Sequence, residues 1–210
     1  MSEGLNARKI EALALVNPCL RRMLDALTAA TYEQFVDGLY RHLEDVIKFL
    51  ELNRELRHKD DEDRLTVEIA GQLKQCAYQV THNEKVGGHA DLVVRSACND
   101  SWLWVGEAKW HSSYDYLLQG YHQLTTRYLP GTTNRNKGGM LIYLNVRDGY
   151  AKEVIRQWRS KLIEEYPATK FEESESCNDL EFLSTQDHQD TGVPCTVRHM
   201  AICLKHAPLA

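Results

Sequence analysis

Residues 102–110, Trp-Leu-Trp-Val-Gly-Glu-Ala-Lys-Trp, are the most informative stretch of this sequence. The stretch is apolar at its start, and near its end it carries an acid and a base two positions apart, Glu107 and Lys109. Because side chains alternate between the two faces of a strand, Glu107 and Lys109 share a face with Leu103 and Val105. The pattern therefore predicts a buried strand that ends in a paired carboxylate and ammonium group.

A second acid, Asp91, lies 16 residues before Glu107 in another strand-like segment. Residues 78–81 and 90–95 form two short β-like runs, and Gly87-Gly88 lies between them as turn residues. Neighbouring strands are about 4.8 Å apart, so Asp91 and Glu107 can bring their carboxylates to one ion. Hard divalent cations such as Mg²⁺ prefer oxygen ligands of this kind.

Amphipathic helices flank these strands. Residues 62–77 have apolar positions at helical spacing, with Glu68 at the margin of the buried stripe, and residues 114–128 form a second clear helix. A buried strand at 140–146, a helix at 149–165, a long acidic loop and two strands at 180–185 and 196–204 follow. The order of helix, three strands, helix and strand predicts an α/β fold with a mixed sheet.

The first 58 residues read as wholly helical, which predicts an N-terminal helical region (1–58) ahead of a second region (59–210). Thr31 is a candidate N-terminal cap for the longest helix, residues 32–56. That helix carries one apolar stripe at 4-3-4-3-4 spacing, made of Tyr32, Val36, Leu39, Leu43, Val46 and Leu50. The stripe favours packing on the chain's own core, and a dimer seam is the alternative.

The composition of the 210 residues, 43% apolar and 26% charged, is that of a globular protein. No apolar run approaches the length of a membrane span, and the polar first ten residues lack the apolar core of a signal peptide. We therefore expect a cytoplasmic protein with no membrane partner. The net charge of −5 argues against a protein that coats nucleic acid nonspecifically.

Six cysteines without a CxxC pair are expected to be free thiols. Cys195, His199, Cys203 and His206 are spaced closely enough to suggest zinc, but the spacing fits no common finger. A strand over residues 196–204 places Cys195, His199 and Cys203 on one face, and core packing is the favoured interpretation.

Taken together, helical Glu68, Gly88-His-Ala-Asp91, Gly106-Glu107-Ala-Lys109 and a following helix with Gln119 and Gln123 resemble the PD-(D/E)xK nuclease superfamily. The resemblance covers roughly residues 62–146 and implies a restriction-endonuclease-like core with N-terminal helices and C-terminal strands added. An isolated ExK triplet occurs by chance in many chains, so the structural context carries the comparison.

The resemblance implies a site for Mg²⁺, with Mn²⁺ as a substitute. Its ligands are Asp91, Glu107 and the backbone carbonyl of Ala108, with Glu68 reaching the metal directly or through water. Lys109 is expected to orient and deprotonate the attacking water and to offset charge in the transition state.

Substrate contacts are expected from a second set of residues. Gln119 or Gln123 occupies the place of a glutamine that the superfamily often uses, and His89 shares a face with Asp91. Arg135 and Lys137, in the loop before residue 140, are candidate phosphate contacts. The candidate substrate-binding residues are Gln119, Gln123, His89, Arg135 and Lys137.

These features predict a metal-dependent endonuclease that cuts DNA, of the kind that serves in restriction, antiviral defence or DNA repair. An RNA-directed nuclease or toxin domain uses the same chemistry and is one alternative. The other is a nuclease-like fold that binds nucleic acid or a protein without cutting. The helical stripe is also a candidate interface, either for a homodimer or for a protein partner bound through the N-terminal helices.

Overall fold

A seven-stranded mixed sheet forms the centre of the computed structural model, which describes residues 6–145, 149–173 and 179–206. Its strands are β1 (Gln79–Lys85), β2 (His89–Arg95), β3 (Leu103–Trp110), β4 (Lys137–Leu144), β5 (Lys170–Glu173), β6 (Glu181–Asp187) and β7 (Pro194–Cys203). The spatial order is β1-β2-β3-β4-β7-β6-β5. The central strands β3, β4 and β7 are parallel, and the outer strands on both sides pair antiparallel.

Seven α-helices and one π-helical segment surround this sheet in the described part of the chain. They are α1 (Ala7–Val16), α2 (Pro18–Leu27), α3 (Tyr32–Leu52), α4 (Arg54–Arg57), α5 (Glu62–Gln75), α6 (Tyr114–Gln123), the π segment (Leu124–Tyr128) and α7 (Ala151–Glu165). The predicted α/β class with a mixed sheet is confirmed, and so is the succession of helix, three strands, helix and strand. None of the described helices combines the length and the apolar character needed to cross a bilayer.

Two apolar cores lie on opposite faces of the sheet. On one face, α3 and α5 pack against side chains such as Trp104 and Leu141. On the other face, α6, the π segment and α7 pack against side chains such as Val105 and Ile142. Because both faces of the central strands are covered, β3 and β4 are almost continuous apolar runs.

The long helix α3 begins where its cap was predicted. The Thr31 side chain accepts a hydrogen bond from the backbone N–H of Gln34, and the Gln34 side chain accepts one from the backbone N–H of Ala30. All six residues of the predicted stripe are buried within the chain, in the core that α3 shares with α5 and the sheet. The stripe is therefore core, and its surface is not available as a dimer seam.

Gly138 and Gly139 lie inside β4, which begins at Lys137 and not at residue 140. The sequence pattern predicts them as a break before the strand. A Cβ atom on Gly139 would lie 2.5 Å from the Trp104 side chain, and one on Gly138 would lie 2.7 Å from the Val105 carbonyl oxygen. The glycines are therefore needed for close approach to β3, and sequence pattern does not distinguish this use from a turn. The predicted end of this strand, Val146, lies outside the described residues.

The predicted acidic loop contains a short strand. Residues Lys170–Glu173 pair with β6 as an edge strand, β5. Four residues are too few to show an alternating pattern, which explains why the prediction missed this strand.

The candidate zinc motif is core structure. His199 is fully buried, accepts a hydrogen bond at Nδ1 from Trp158 Nε1 (3.1 Å), and bonds Ser184 Oγ through Nε2 (2.9 Å). Burial lowers the pKa of His199 to about 3, so the ring is neutral. Both ring nitrogens are used, and Cys195 and Cys203 are free thiols.

The end of α5 offers a stability test. Ala77 has a φ of 67°, and the Ala77 and Tyr78 amides bond back to Lys74 and Leu73, as in a Schellman motif. This left-handed conformation costs an L-residue about 1–2 kcal/mol. We expect Ala77→Gly to raise the free energy of unfolding by about 0.5–1 kcal/mol in a urea titration.

Gly192→Ala is the matched reverse experiment, because Gly192 has a φ of 68° and open space around its Cα. We expect it to lower the stability by about 1 kcal/mol. If both substitutions lower the stability, backbone conformation is not the cause.

Candidate active site

The ammonium group of Lys109 lies among four oxygen atoms at the carboxyl end of β3. The distances from Lys109 Nζ are 2.7 Å to Glu107 Oε1, 3.0 Å to the Ala108 carbonyl oxygen, 3.3 Å to Glu62 Oε1 and 3.4 Å to Asp91 Oδ2. These groups come from β3, β2 and α5. Three carboxylates from three elements therefore meet at one cation.

The pairing of β2 with β3 brings Asp91 to Glu107. Val93 is the register partner of Val105 in this antiparallel pair, and one step of alternation along each strand leads to Asp91 and Glu107 on the same face. The register partners end at Leu92 and Gly106, and the Asp91 carboxylate accepts a hydrogen bond from the backbone N–H of Ala108 at 2.9 Å. The Asp91 side chain is thus held where the strand pairing stops.

Glu62 is a member of the site that the sequence analysis missed. It is the first residue of α5, and its Oε2 accepts a hydrogen bond from the backbone N–H of Trp110 at 2.8 Å. This bond joins the start of α5 to the end of β3. The sequence explains the acids near residue 62 as side chains that interact favourably with the N-terminus of a helix. No local pattern distinguishes Glu62 from its acidic neighbours.

Glu68 lies elsewhere. Its carboxylate pairs with Arg57 at 2.8 Å and is within 3.5 Å of the Gln72 amide. Because a helix turns 100° per residue, the six residues from Glu62 to Glu68 rotate the side chain by about 240°, away from the strand end. The structure therefore assigns the helical carboxylate of the site to Glu62 and not to Glu68.

Burial dominates the electrostatics of the site. Glu107 is 1% exposed, and burial together with the charge of Asp91 raises its pKa to about 8 despite the Lys109 ammonium group. Burial alone would lower the pKa of Lys109, but the carboxylates of Glu107 and Asp91 outweigh it and raise that pKa. Lys109 is therefore protonated, whereas Glu107 carries a proton over much of the neutral range.

The four oxygen atoms around Lys109 are of the kind that a hard divalent cation binds. In this structure they surround the Lys109 ammonium group instead. Within the described residues, no group of three or more His, Cys, Asp or Glu side chains is arranged to hold a metal ion. The buried Glu107 Oε2 nevertheless accepts no hydrogen bond from the described residues. An orphaned carboxylate oxygen beside two further carboxylates is the kind of donor set that Mg²⁺ takes.

Helix α6 forms one wall of the site. A Cβ atom on Gly120 would lie 3.1 Å from Lys109 Cγ and 3.3 Å from Glu107 Cγ, so the absence of a side chain lets α6 rest on both residues. The Tyr116 ring centroid lies 5.7 Å from Lys109 Nζ. The sequence analysis did not single out Gly120; a glycine in the middle of an amphipathic helix can mark a close contact but does not tell with which residues.

In the described part of the chain the acids of the site pair with Lys109, and no hydrogen bond or ion pair joins them to the predicted glutamines or to His89. Gln119 is exposed, and Gln123, the last residue of α6, is half-buried. Gln123 follows Gly120 by three residues and so shares its face of the helix. His89 is the exposed first residue of β2, and alternation places it on the face of Asp91.

Arg135 and Lys137 do not join this site. Lys137 is the register partner of Trp104, three residues before Glu107 and about 10 Å away along the strand. Its ammonium group lies 5.9 Å from the Tyr32 ring centroid, and Arg135 Nε donates to the Ser101 carbonyl oxygen at 3.1 Å. Because β4 is parallel to β3, the loop before it lies at the opposite end of the sheet.

The helix that carries Gln123 also differs from its prediction. The predicted helix at 114–128 ends as α6 at Gln123, and the π segment Leu124–Tyr128 continues it, with the Leu129 amide bonded to the Leu124 carbonyl oxygen five residues back. The turn of β1 and β2 fits against this wider turn: a Cβ atom on Gly87 (φ 64°) would lie 1.9 Å from the Arg127 carbonyl oxygen. Such π turns are frequent at functional sites.

Comparison with known proteins adds no family to these observations. No protein-family model matches the chain, and no curated protein or solved structure is significantly similar to it.

Proposed function

We propose that this protein is a metal-dependent nuclease of the PD-(D/E)xK type that hydrolyses phosphodiester bonds, with DNA as its substrate. The observation that carries the proposal is the meeting of Asp91, Glu107 and Lys109 with Glu62 at the end of β3. The chain order α5, β1, β2, β3, α6 and β4 supports it, since this is the order of elements in a restriction-endonuclease-like core.

Asp91, Glu107, Glu62 and the Ala108 carbonyl are the groups that would hold Mg²⁺ or Mn²⁺. When bound, the metal supplies Lewis-acid polarisation of the phosphate and a lowered pKa for a water molecule. Asp91 and Glu107 would bring negative charge to the cation, and Glu107 would have to be deprotonated to bind it. Lys109, which is protonated here, offsets the negative charge that develops on the phosphate.

The experiment that tests the proposal is incubation of the purified protein with plasmid DNA and with structured RNA, in Mg²⁺ and in EDTA. We expect DNA cleavage in Mg²⁺ and none in EDTA. Cleavage of RNA alone would redirect the proposal to an RNA nuclease. Cleavage that persists in EDTA would contradict the mechanism.

A non-cleaving nucleic-acid-binding module is the second candidate, and one observation favours it. Lys109 already occupies the centre of the oxygen cluster, and the described residues hold no ready-made metal site. This candidate predicts binding of nucleic acid without cleavage in either Mg²⁺ or Mn²⁺, which the same experiment detects.

Glu62 and Glu68 provide a matched pair of variants, because both are glutamates of α5. We expect Glu62→Gln to lower the cleavage rate by about a hundredfold, since it removes one carboxylate from the cation-binding group. Glu68→Gln should change the rate by less than about threefold, because Glu68 pairs with Arg57 away from the site. Single-turnover cleavage in Mg²⁺ measures both rates, and the reverse ranking would restore the assignment to Glu68.

A further inference from the structure

We propose that one strand of the nucleic acid lies along α6, with a base stacked on Tyr116 and with phosphates bound by Lys85, His89 and Arg127 beyond the acid centre. This inference rests on the proposed nuclease function and deepens it, because it names the surface that holds the substrate and the direction in which the strand crosses it.

The side of α6 that faces the acids is identified by the spacing of its residues and by the contacts of Gly120. Tyr116, Gly120 and Gln123 follow one another at spacings of four and three residues, which places them on one side of the helix. Gly120 touches the Glu107 and Lys109 side chains, so this side faces the site. Gly120 is therefore the point at which α6 packs directly on these two residues.

Tyr116 lies at one end of this face, and part of its side chain is exposed to solvent. Its exposure is 36%, among the exposed large apolar side chains of the described chain, and its ring centroid is 5.7 Å from Lys109 Nζ. An exposed aromatic ring beside a cationic phosphate-binding group is the arrangement in which nucleobases stack on proteins. A base on Tyr116 would bring its adjoining phosphate to Lys109.

Basic side chains stand at the other end, on the turn of β1 and β2. Lys85 and His89 are register partners at the end of the two strands, and both are exposed. Partners directly across two strands have side chains on one face, and His89 shares its face with Asp91. Lys85 and His89 thus extend the face that carries the acid.

Arg127 joins this pair through the turn between the strands. Gly87 rests on the Arg127 carbonyl oxygen and Gly88 on the Tyr128 ring, so the turn and the π segment are held together. Arg127 is exposed, and neither it nor Lys85 has an ion-pair partner in the part of the chain that the structure describes. The neighbouring acid, Glu84, pairs with Arg95. The cations are therefore available to phosphates, which position a nucleic acid on a protein.

The dimensions agree with one strand. The eleven helical steps from Tyr116 to Arg127 span about 16 Å, a length that a few nucleotides of one strand can follow. The acid centre lies between Tyr116 and the turn of β1 and β2. The phosphate to be cut is therefore flanked by the base on Tyr116 and, on the other side, by the cations Lys85 and Arg127.

The test measures binding apart from cleavage. Fluorescence anisotropy of a labelled 20-nucleotide DNA, single-stranded and duplex, is recorded in EDTA over a range of salt. For the Lys85→Ala/Arg127→Ala double variant we expect an affinity lowered by about tenfold or more, and a slope of log K against log salt reduced by about two. For Tyr116→Ala we expect an affinity lowered by about tenfold with the slope unchanged.

The matched control is the double variant Arg41→Ala/Lys170→Ala. Arg41 is an exposed residue of α3 on the opposite face of the sheet, and Lys170 is an exposed residue of the edge strand β5. We expect its affinity and slope to be those of the wild type. All variants are checked for unchanged thermal unfolding, which their exposed positions predict.

Two other outcomes would contradict the proposed surface, and a third would contradict the proposed function. If the wild type binds and cleaves DNA while the Lys85/Arg127 double variant keeps its affinity and slope, the proposed surface is wrong and the nuclease function stands. Equal losses in the control variant also contradict the surface, because binding would then be a general charge effect. If the wild type neither binds nor cleaves nucleic acid, the proposed function itself is wrong.

Discussion

Replacement of Glu107 by glutamine is expected to lower the rate of DNA cleavage by about a thousandfold while the protein remains folded. Glu107 is the most deeply buried carboxylate of the site, and its Oε2 accepts no hydrogen bond in the described structure. An amide keeps the shape of the side chain but cannot supply the negative charge that a divalent cation needs. The loss should therefore appear in the chemical step and in metal binding, and not in folding.

The raised pKa of Glu107 explains why the variant should fold. With a pKa of about 8, the side chain is mostly protonated at pH 7 in the metal-free protein, and glutamine has the shape of that neutral form. An unfolded glutamate has a pKa of about 4.3. From that pH up to about 8 the folded state holds a proton that the unfolded state has lost, so the stability of the wild type falls as the pH rises through this window.

Two measurements check this prediction. Urea unfolding in EDTA at pH 6 and at pH 8 should show a decline for the wild type that Glu107→Gln lacks, and single-turnover cleavage in Mg²⁺ should show the loss of rate. Glu172→Gln on the exposed edge strand β5 is the control, with wild-type behaviour in both. Cleavage by Glu107→Gln at a wild-type rate would refute the assignment of Glu107.

Replacement of Lys109 by methionine is expected to destabilise the metal-free protein and to make it depend on a divalent cation. Within the described residues, Lys109 is the only cation that pairs with Glu62, Asp91 or Glu107. Removing one partner of a buried ion pair costs about 3–5 kcal/mol, because the other charge remains buried and unpaired. We expect that loss at pH 8 in EDTA, a smaller loss at pH 5 where the carboxylates take up protons, and recovery in Mg²⁺ or Mn²⁺.

Cleavage should nevertheless fall by about a hundredfold or more in the Lys109→Met variant, because no ammonium group offsets charge on the phosphate. Thermal unfolding at increasing Mg²⁺ concentration, combined with the cleavage assay, separates the two effects. Lys152→Met removes an exposed ion pair with Asp179 and should change neither property. A Lys109→Met protein that is stable in EDTA and insensitive to Mg²⁺ would show that the carboxylates do not form a cation site.

Local sequence pattern predicted the elements that carry the site. The alternation in residues 102–110 placed Glu107 and Lys109 on one face of β3, and the same rule placed Asp91 on the corresponding face of β2. The helical spacing in residues 32–50 predicted α3 and its buried stripe. These predictions succeeded because burial repeats with the period of the backbone, and a period is visible in the neighbouring residues alone.

Only the tertiary structure decided which side chains meet. Glu62 and Glu68 are acids of one helix, and the choice between them depends on how α5 is rotated and how far it reaches toward the end of β3. Arg135 and Lys137 lie at the far end of the sheet because β4 runs parallel to β3. The sequence by itself therefore determined the acids and the base of two strands, through short-range periodicity. The helical acid, the α6 wall at Gly120 and the basic turn were decided by packing between elements, whose relative rotation and offset no local pattern encodes.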